Sequence, residues 1–331
     1  MDKVLITVRQ KASNNAGPKA TNDVAFFLNN YRGIKLEDWY FDLDSKFNKL
    51  IYKQFMIPQK LSKFKNQQIF LQYPIYSKPL LAKTIDLIKK NQNQLILIVH
   101  DIEMLRDSSV MSEEELAFLK RADGVIVHTE KMKQWLLEKG INSQIEILGI
   151  FDYASDCLIN KDHDNDRGVC FAGNLAKAEF LNKYNEPTHF NVYGPNPQLE
   201  NYSKEINYQG SYQPDILPEK LVGSYGLVWD GDAIDKCNGM YGEYLKYNCP
   251  HKLSLYLSSG IPAIIWSQSA MASFVREHQV GLVLDSLTEI ESVLNQVTTD
   301  EYKAIKDNAI KLAKQLRSGS YIKAAVDKFL S

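Results

Sequence analysis

Short apolar runs alternate with amphipathic helical stretches along this chain, and the alternation happens twice. In the first half, residues 3–8, 68–72, 94–99, 124–128 and 144–148 read as strands. The run Leu-Ile-Leu-Ile-Val at 95–99 is apolar at every position, which suits a strand buried on both faces of a parallel sheet. Between these runs lie helical patterns. The spacing predicts a helix over 21–31, closed by Gly33, and a helix over 130–139 that Thr129 caps and Gly140 ends. A polar stretch, 152–168, carries Asp152, Asp156, Lys161, Asp162, Asp164, Asp166 and Arg167 and reads as a linker. The rhythm then restarts, with strands expected at 168–172, 189–193, 226–229, 263–266 and 280–284. A helix over 251–259 stops at Gly260 and Pro262, and 299–331 reads as helices. Strands that alternate with helices build parallel βαβ units. The expectation is an α/β chain of two Rossmann-like domains, 1–151 and 152–315, facing a cleft, with a C-terminal helix over 316–331 packing back on the first.

Composition narrows the function. Lys and Arg number 39 against 40 Asp and Glu, a net charge of -1. Binding to bulk DNA or to an anionic membrane draws on a basic excess, so the balance argues against both and leaves room only for a local basic pocket. No nucleic-acid partner is expected. Four cysteines occur and none forms a CxxC pair, which reads as free thiols in a reducing compartment and a cytoplasmic location. The apolar stretch 4–8 is too short for a signal peptide, and no window is long enough for a membrane span.

In open parallel sheets ligands bind beyond the carboxyl ends of the strands, so residues just after strands carry the information. Four such segments stand out. The loop 9–19, with Asn15, Ala16 and Gly17 at its centre, is small and polar and suits either a phosphate or sugar contact or a solvated loop. It lacks the GxGxxG spacing of a dinucleotide site, as does every other strand end, which argues against an NAD oxidoreductase. His100-Asp101 follows the most apolar strand and reads as a base or sugar ligand, or as a helix cap at Asp101. Gly173-Asn174, after the second domain's first strand, lets a ligand approach the backbone, with Lys177 as a nearby charge or a plain surface lysine. The fourth segment runs from Trp229 to Pro262. In it Asn248 is a candidate cap, Pro250 lies in the first turn, and His251 and Lys252 open the helix. A helix N-terminus with a lysine suits a diphosphate. Asp230-x-Asp232 has the spacing of a metal-binding pair, but a lysine and a helix dipole neutralise a diphosphate without one, so no metal and no cofactor is expected. His128 ends a strand and reads as a structural histidine.

Ala-Gly-Asn (172–174), Gly-Leu-Val-Trp (226–229) and Lys-Leu-Ser-Leu-Tyr-Leu-Ser-Ser-Gly-Ile-Pro-Ala-Ile (252–264) together are similar to a group of bacterial two-Rossmann glycosyltransferases. The chain most resembles the glucosyltransferases that extend O-linked GlcNAc on serine-rich-repeat adhesins. The likeness runs over nearly the whole chain, including Asp23-Val24-Ala25 and His100-Asp101. Galactofuranosyltransferase-like proteins share the Tyr-Asn-x-Pro-His-Lys stretch (247–252), so the resemblance leaves the sugar open. It implies the GT-B fold and a UDP-sugar donor held mainly by the second domain. Lys252 matches the diphosphate lysine, Tyr212 a donor-contacting tyrosine, and Lys177 a position usually held by Arg. The loop around Asn15 matches one that closes on donor or acceptor. The loop between Trp229 and Lys252 is longer than in the streptococcal pattern. The resemblance also implies a GlcNAc-modified serine-rich-repeat acceptor and a homo-oligomer such as a tetramer. The rival readings are a galactofuranosyl or other hexosyl transferase for cell-surface polysaccharide, a non-catalytic glycosylation partner, and a nucleotide-sugar epimerase.

Overall fold

The computed structural model describes residues 1–9, 16–107, 113–165 and 168–330. They form two compact units. The first contains the N-terminal strand, residues 17–148 and the tail from Ile322; the second contains residues 149–321.

The first unit is built on six strands, β1 (Lys3–Arg9), β2 (Ile34–Tyr40), β3 (Gln68–Tyr73), β4 (Gln94–Val99), β5 (Gly124–Val127) and β6 (Gln144–Ile147). They lie side by side in the order β2-β1-β3-β4-β5-β6, and all pairs are parallel. The second unit repeats the plan with β7 (Val169–Ala172), β8 (Phe190–Tyr193), β9 (Ile206–Gly210), β10 (Tyr225–Val228), β11 (Ala263–Trp266) and β12 (Gly281–Leu284). Their order is β12-β11-β10-β7-β8-β9, again all parallel. In each sheet the strand order reverses once, at β1/β3 and at β7/β10. Ligand sites in doubly wound sheets open at such reversals.

The central strands match the sequence reading because they are buried on both faces. Leu95 to Val99 and Val169 to Ala172 are buried at every position. The sequence reading missed β2 and β9, and both are edge strands. Edge strands face water on one side and so carry polar residues such as Glu37, Asp38, Asn207 and Gln209, which dilute the apolar signal. The first helix is Ala16–Leu28, several residues earlier than expected, because Asn30 takes the left-handed conformation (φ 65°) ahead of Gly33. Thr129 caps the helix Glu130–Glu138, accepting from the Met132 N–H. The tail is two helices, Thr299–Ser318 and Ser320–Asp327, broken at Gly319. Beyond them the Phe329 ring fills the space a side chain on Gly124 would need, and its carbonyl accepts from Gln68 Nε2 at 2.8 Å.

One contact ties the second sheet's reversal together. Tyr256, on the helix His251–Ser258, is fully buried with its ring against Gly226 of β10. Its hydroxyl accepts from the Ala172 N–H of β7 at 2.7 Å. The same side chain thus spans both strands of the crossover. In the first unit His128 is buried just after β5 and its Nε2–H donates to the Val99 carbonyl at 2.9 Å. Burial, opposed only in part by that bond, holds its pKa down from 6.5 to about 4.

Two outcomes are expected. A Cβ on residue 226 would stand 2.2 Å from the Tyr256 ring, so Gly226→Ala should cost about 1–3 kcal/mol in chemical denaturation. A change under about 0.5 kcal/mol would show that the ring has room to move. His128 takes up its proton near pH 6.5 when unfolded and only near 4 when folded, so the unfolded state binds more protons between those values. Stability therefore falls with pH through this window and levels off below it, by about 3 kcal/mol in all. Urea unfolding at pH 7.5 and 4.5 should show a smaller loss in His128→Gln; an equal loss would rule out His128 as its source.

Candidate active site

In the second unit, the helix His251–Ser258 brings Lys252 to the β7/β10 crossover. Its Nζ lies 2.7 Å from Asp230 Oδ1, 3.1 Å from the Trp229 carbonyl and 4.8 Å from the centre of the Phe171 ring. Phe171 belongs to β7, and Asp230 follows β10, so the ammonium stands where the two strands end. The pair is mostly buried, the Lys252 side chain 14% exposed and Asp230 19%. Asp230 and Asp232 turn to different partners: Asp230 faces Lys252, while Asp232 exchanges hydrogen bonds with Asn238. The helix begins at His251 with Pro250 at its cap position and no capping side chain. Asn248, expected as the cap, stands two residues outside, its Oδ1 buried. The correction has a simple cause: Pro250, with φ fixed at −69°, already sets the entry into the helix. The His251 ring packs against Tyr153 and Phe151, at 5.2 and 6.0 Å between centres.

Gly173, Asn174 and Tyr212 cluster through the ends of β7, β8 and β9. The Gly173 N–H donates to the Tyr193 carbonyl, and Gly194 presses on Gly173 so closely that a Cβ there would meet its carbonyl oxygen at 1.7 Å. Asn174 Oδ1 accepts from the Ala176 N–H and from Asn196 Nδ2. Tyr212 lies over Gly210, its ring 6.4 Å from that of Tyr193 and its hydroxyl donating to the Gln209 carbonyl. Lys177 is exposed, its ammonium 4.2 Å above the Tyr241 ring. The sequence reading did not single out Tyr241 or Asn238, and it considered Asp230 only as a metal ligand. They fall in the segment after Trp229, which holds the short helix Gly239–Tyr244 and is tied by Asn238 to Asp232 and by a bond from Trp229 Nε1 to the Ala233 carbonyl. The buried thiols of Cys170 and Cys249 are pushed up to about 12 by burial, so neither is a nucleophile at neutral pH.

In the first unit, the polar groups Thr7, Gln72 and His100 form a row across β1, β3 and the end of β4. Gln72 Nε2 donates to Thr7 Oγ1 at 2.7 Å and to the Thr21 carbonyl at 3.0 Å, which fixes the amide's orientation. Its Oε1 then faces His100 Nε2 at 2.6 Å. Nε2 must therefore carry the proton, leaving Nδ1 as the basic nitrogen of the neutral ring. Asp101 does not cap the helix Glu103–Arg106; Ile102 holds that position, and the buried Glu115 carboxylate accepts from the Glu103 and Met104 N–H groups instead. Asp101 Oδ2 accepts from the Tyr76 hydroxyl at 3.0 Å and lies 3.7 Å from Arg106 Nη1. Beside them is a cavity of about 130 Å³ lined by Tyr73, Tyr76, Lys78, Glu115 and Phe118. Burial and the Glu115 carboxylate push the Tyr73 hydroxyl pKa well up. Ala16 and Gly17 open the first helix, and Asn15 lies outside the described residues.

Two doubly wound sheets of this kind are the architecture of GT-B glycosyltransferases. The chain superposes on a sucrose-phosphate synthase from Thermosynechococcus elongatus with a TM-score of 0.64 at 12% identity, covering 99% of this chain and 98% of that one. An α-glucosyltransferase solved with UDP-glucose and DNA containing an abasic site matches at 0.65 and 13%, covering 99% of each. At such identities the likeness is one of fold. The sequence carries the rest. Residues 3–150 match the Glucosyltransferase 3-like N-terminal domain and residues 169–329 its C-terminal domain. The chain is 34% identical over 242 residues to the β-1,6-galactofuranosyltransferase WbbI of Escherichia coli (strain K12), covering 72% of this chain and 71% of that one. It is 28% identical over 243 residues to Glucosyltransferase 3 of Streptococcus gordonii, with the same coverage. The chain belongs to the Glucosyltransferase 3-like family and is a glycosyltransferase.

Proposed function

We propose that the chain transfers a hexose from a UDP-sugar to a saccharide acceptor, with the donor on the second unit. The observation that supports this most is the mostly buried ammonium of Lys252 at the β7/β10 crossover, on the first turn of a helix. Transfer breaks the bond between the anomeric carbon and the diphosphate, and negative charge gathers on the departing UDP. Lys252, Lys177 and the helix N-terminus supply the positive field that stabilises it, so the reaction needs no metal. Asp230 occupies Lys252 in the meantime, and the diphosphate takes its place. Gly173, Asn174, Tyr212, Asn248 and His251 are the further donor contacts on this reading, with the Asn15-Ala16-Gly17 segment closing over donor or acceptor. His100 or Asp101 takes the acceptor's proton.

Likeness to Glucosyltransferase 3 supports glucose as the hexose and O-linked GlcNAc on a serine-rich-repeat adhesin as the acceptor. The higher identity to WbbI, 34% against 28%, favours the second reading, galactofuranosyl transfer to a cell-surface polysaccharide. A cytoplasmic homo-oligomer belongs to either reading.

The test offers UDP-glucose, UDP-galactose and UDP-galactofuranose with a GlcNAc-bearing peptide and with a soluble oligosaccharide, read by mass spectrometry. A hexose gained from UDP-glucose on the peptide supports the adhesin reading, and one gained from UDP-galactofuranose on the oligosaccharide supports the other. In either case Lys252→Ala should cut turnover on the order of 10²-fold. Near wild-type turnover in that variant, or no UDP binding by the native chain, overturns the proposal.

A further inference from the structure

The helical run 46–61 of the first unit has an outer face that stands exposed among the described residues. It consists of the helix Lys46–Ile51, a π turn over Tyr52–Met56 and the helix Ile57–Leu61. Its inner face is anchored: Ile57 and Leu61 are fully buried, and the Tyr52 ring stacks on Phe41 at 4.9 Å. Its outer face shows Phe47 and Phe55, each 70% exposed, with Leu50 at 55% and Ile51 at 37%. Positions 47, 50, 51 and 55 share one side of a helix. Large apolar side chains scattered singly over a surface mean little, but two phenylalanines and two aliphatics gathered on one stripe mark an interaction face.

The charge around this stripe says what the face meets. Lys46, Lys49, Lys53 and Lys60 lie on the same run, which contains no acidic residue. Among the described residues, no ion pair is seen for any of the four, whereas Lys63 just beyond pairs with Glu37. Over residues 41–65 six lysines stand against two aspartates in a chain whose net charge is -1. The basic residues are therefore gathered here rather than being a property of the whole molecule. A short helix with aromatic and aliphatic residues on its outer side and lysines along its flank has the make-up of an interfacial helix. The apolar side chains enter the boundary between head groups and acyl chains, and the lysines meet anionic head groups.

We infer that the run 46–61 docks the first unit on the surface of an anionic lipid bilayer, with Phe47, Leu50, Ile51 and Phe55 inserted and Lys46, Lys49, Lys53 and Lys60 on the head groups. A second copy of the chain fits this face less well. A two-fold contact would set one lysine-flanked stripe against another and bring like charges together. The net charge, which argued against an anionic membrane, averages over the molecule, whereas a bilayer meets only the face turned toward it. The inference goes beyond the hexosyl-transfer reading and does not depend on it.

The full chain is mixed with vesicles of phosphatidylglycerol and phosphatidylcholine in equal parts, or of phosphatidylcholine alone, and floated through a density gradient at 0.1 M and 0.5 M NaCl. It should float with the anionic vesicles at low salt and partition at least tenfold less with the neutral ones or at high salt. Phe47→Ser with Phe55→Ser should lose flotation, and Lys49→Glu with Lys53→Glu should lose the preference for anionic vesicles. All four positions lie on the outer run, so unchanged urea midpoints confirm that the variants fold, and UDP binding should be unaltered. Absence of flotation with anionic vesicles overturns the inference, as does equal flotation of the phenylalanine variant. So does a self-association in sedimentation velocity that this variant abolishes without any vesicle binding by the native chain.

Discussion

The second unit depends on one buried tyrosine. Tyr256 takes the Ala172 N–H of β7 and lays its ring on Gly226 of β10, so a single side chain bridges the strands between which the sheet order reverses. That clasp fixes the helix His251–Ser258 in place and in rotation. Lys252, one turn before Tyr256, then reaches Asp230 and the Trp229 carbonyl with little freedom left to its ammonium. A lysine on an exposed helix would spread its charge over many rotamers. Here the backbone of two strands defines where the charge stands, which is what electrostatic stabilisation of a leaving group demands. The lack of a side chain at residue 226 is as much a part of the site as the lysine.

Much of this was legible in the sequence because burial on both faces writes itself as unbroken apolar runs. The central strands and the helix carrying Lys252 follow from that signal alone. The edge strands β2 and β9 do not, since a strand that faces water on one side reads as a polar segment with occasional apolar residues. The site divides in a similar way. Asn174, His100 and Asp101 are visible because they follow strands, and Lys252 because it opens a helix. The partners Asp230, Gln72 and Tyr76 come from distant segments, as does Tyr241 beneath Lys177, and no spacing rule links residue 72 to residue 100. The outer face of the run 46–61 was missed for a different reason. Its period is helical, but a π turn and Pro58 interrupt it, and the mean charge of the chain hides the local cluster of lysines.

The two cations of the second unit are held in contrasting ways. Lys252 is mostly buried and its charge is balanced by one carboxylate, so its availability is tied to Asp230. Lys177 is exposed and rests on the face of Tyr241, a contact worth about 0.5–1 kcal/mol that positions the ammonium without neutralising it. Tyr241 lies on the short helix Gly239–Tyr244, in the segment that follows Trp229. The same segment begins with Asp230, so it holds the partners of both lysines.

The first unit separates the roles of its neighbouring polar residues by the same logic. Asp101 accepts from the Tyr76 hydroxyl and stands near the Arg106 guanidinium. His100 is oriented instead by a neutral amide, and Gln72 is in turn fixed by Thr7 and by the Thr21 carbonyl. The ring is thereby held through Nε2 in one tautomer and one orientation, with Nδ1 buried. Asp101, with Tyr76 and Arg106, forms a polar edge beside the cavity lined by Tyr73 and Glu115.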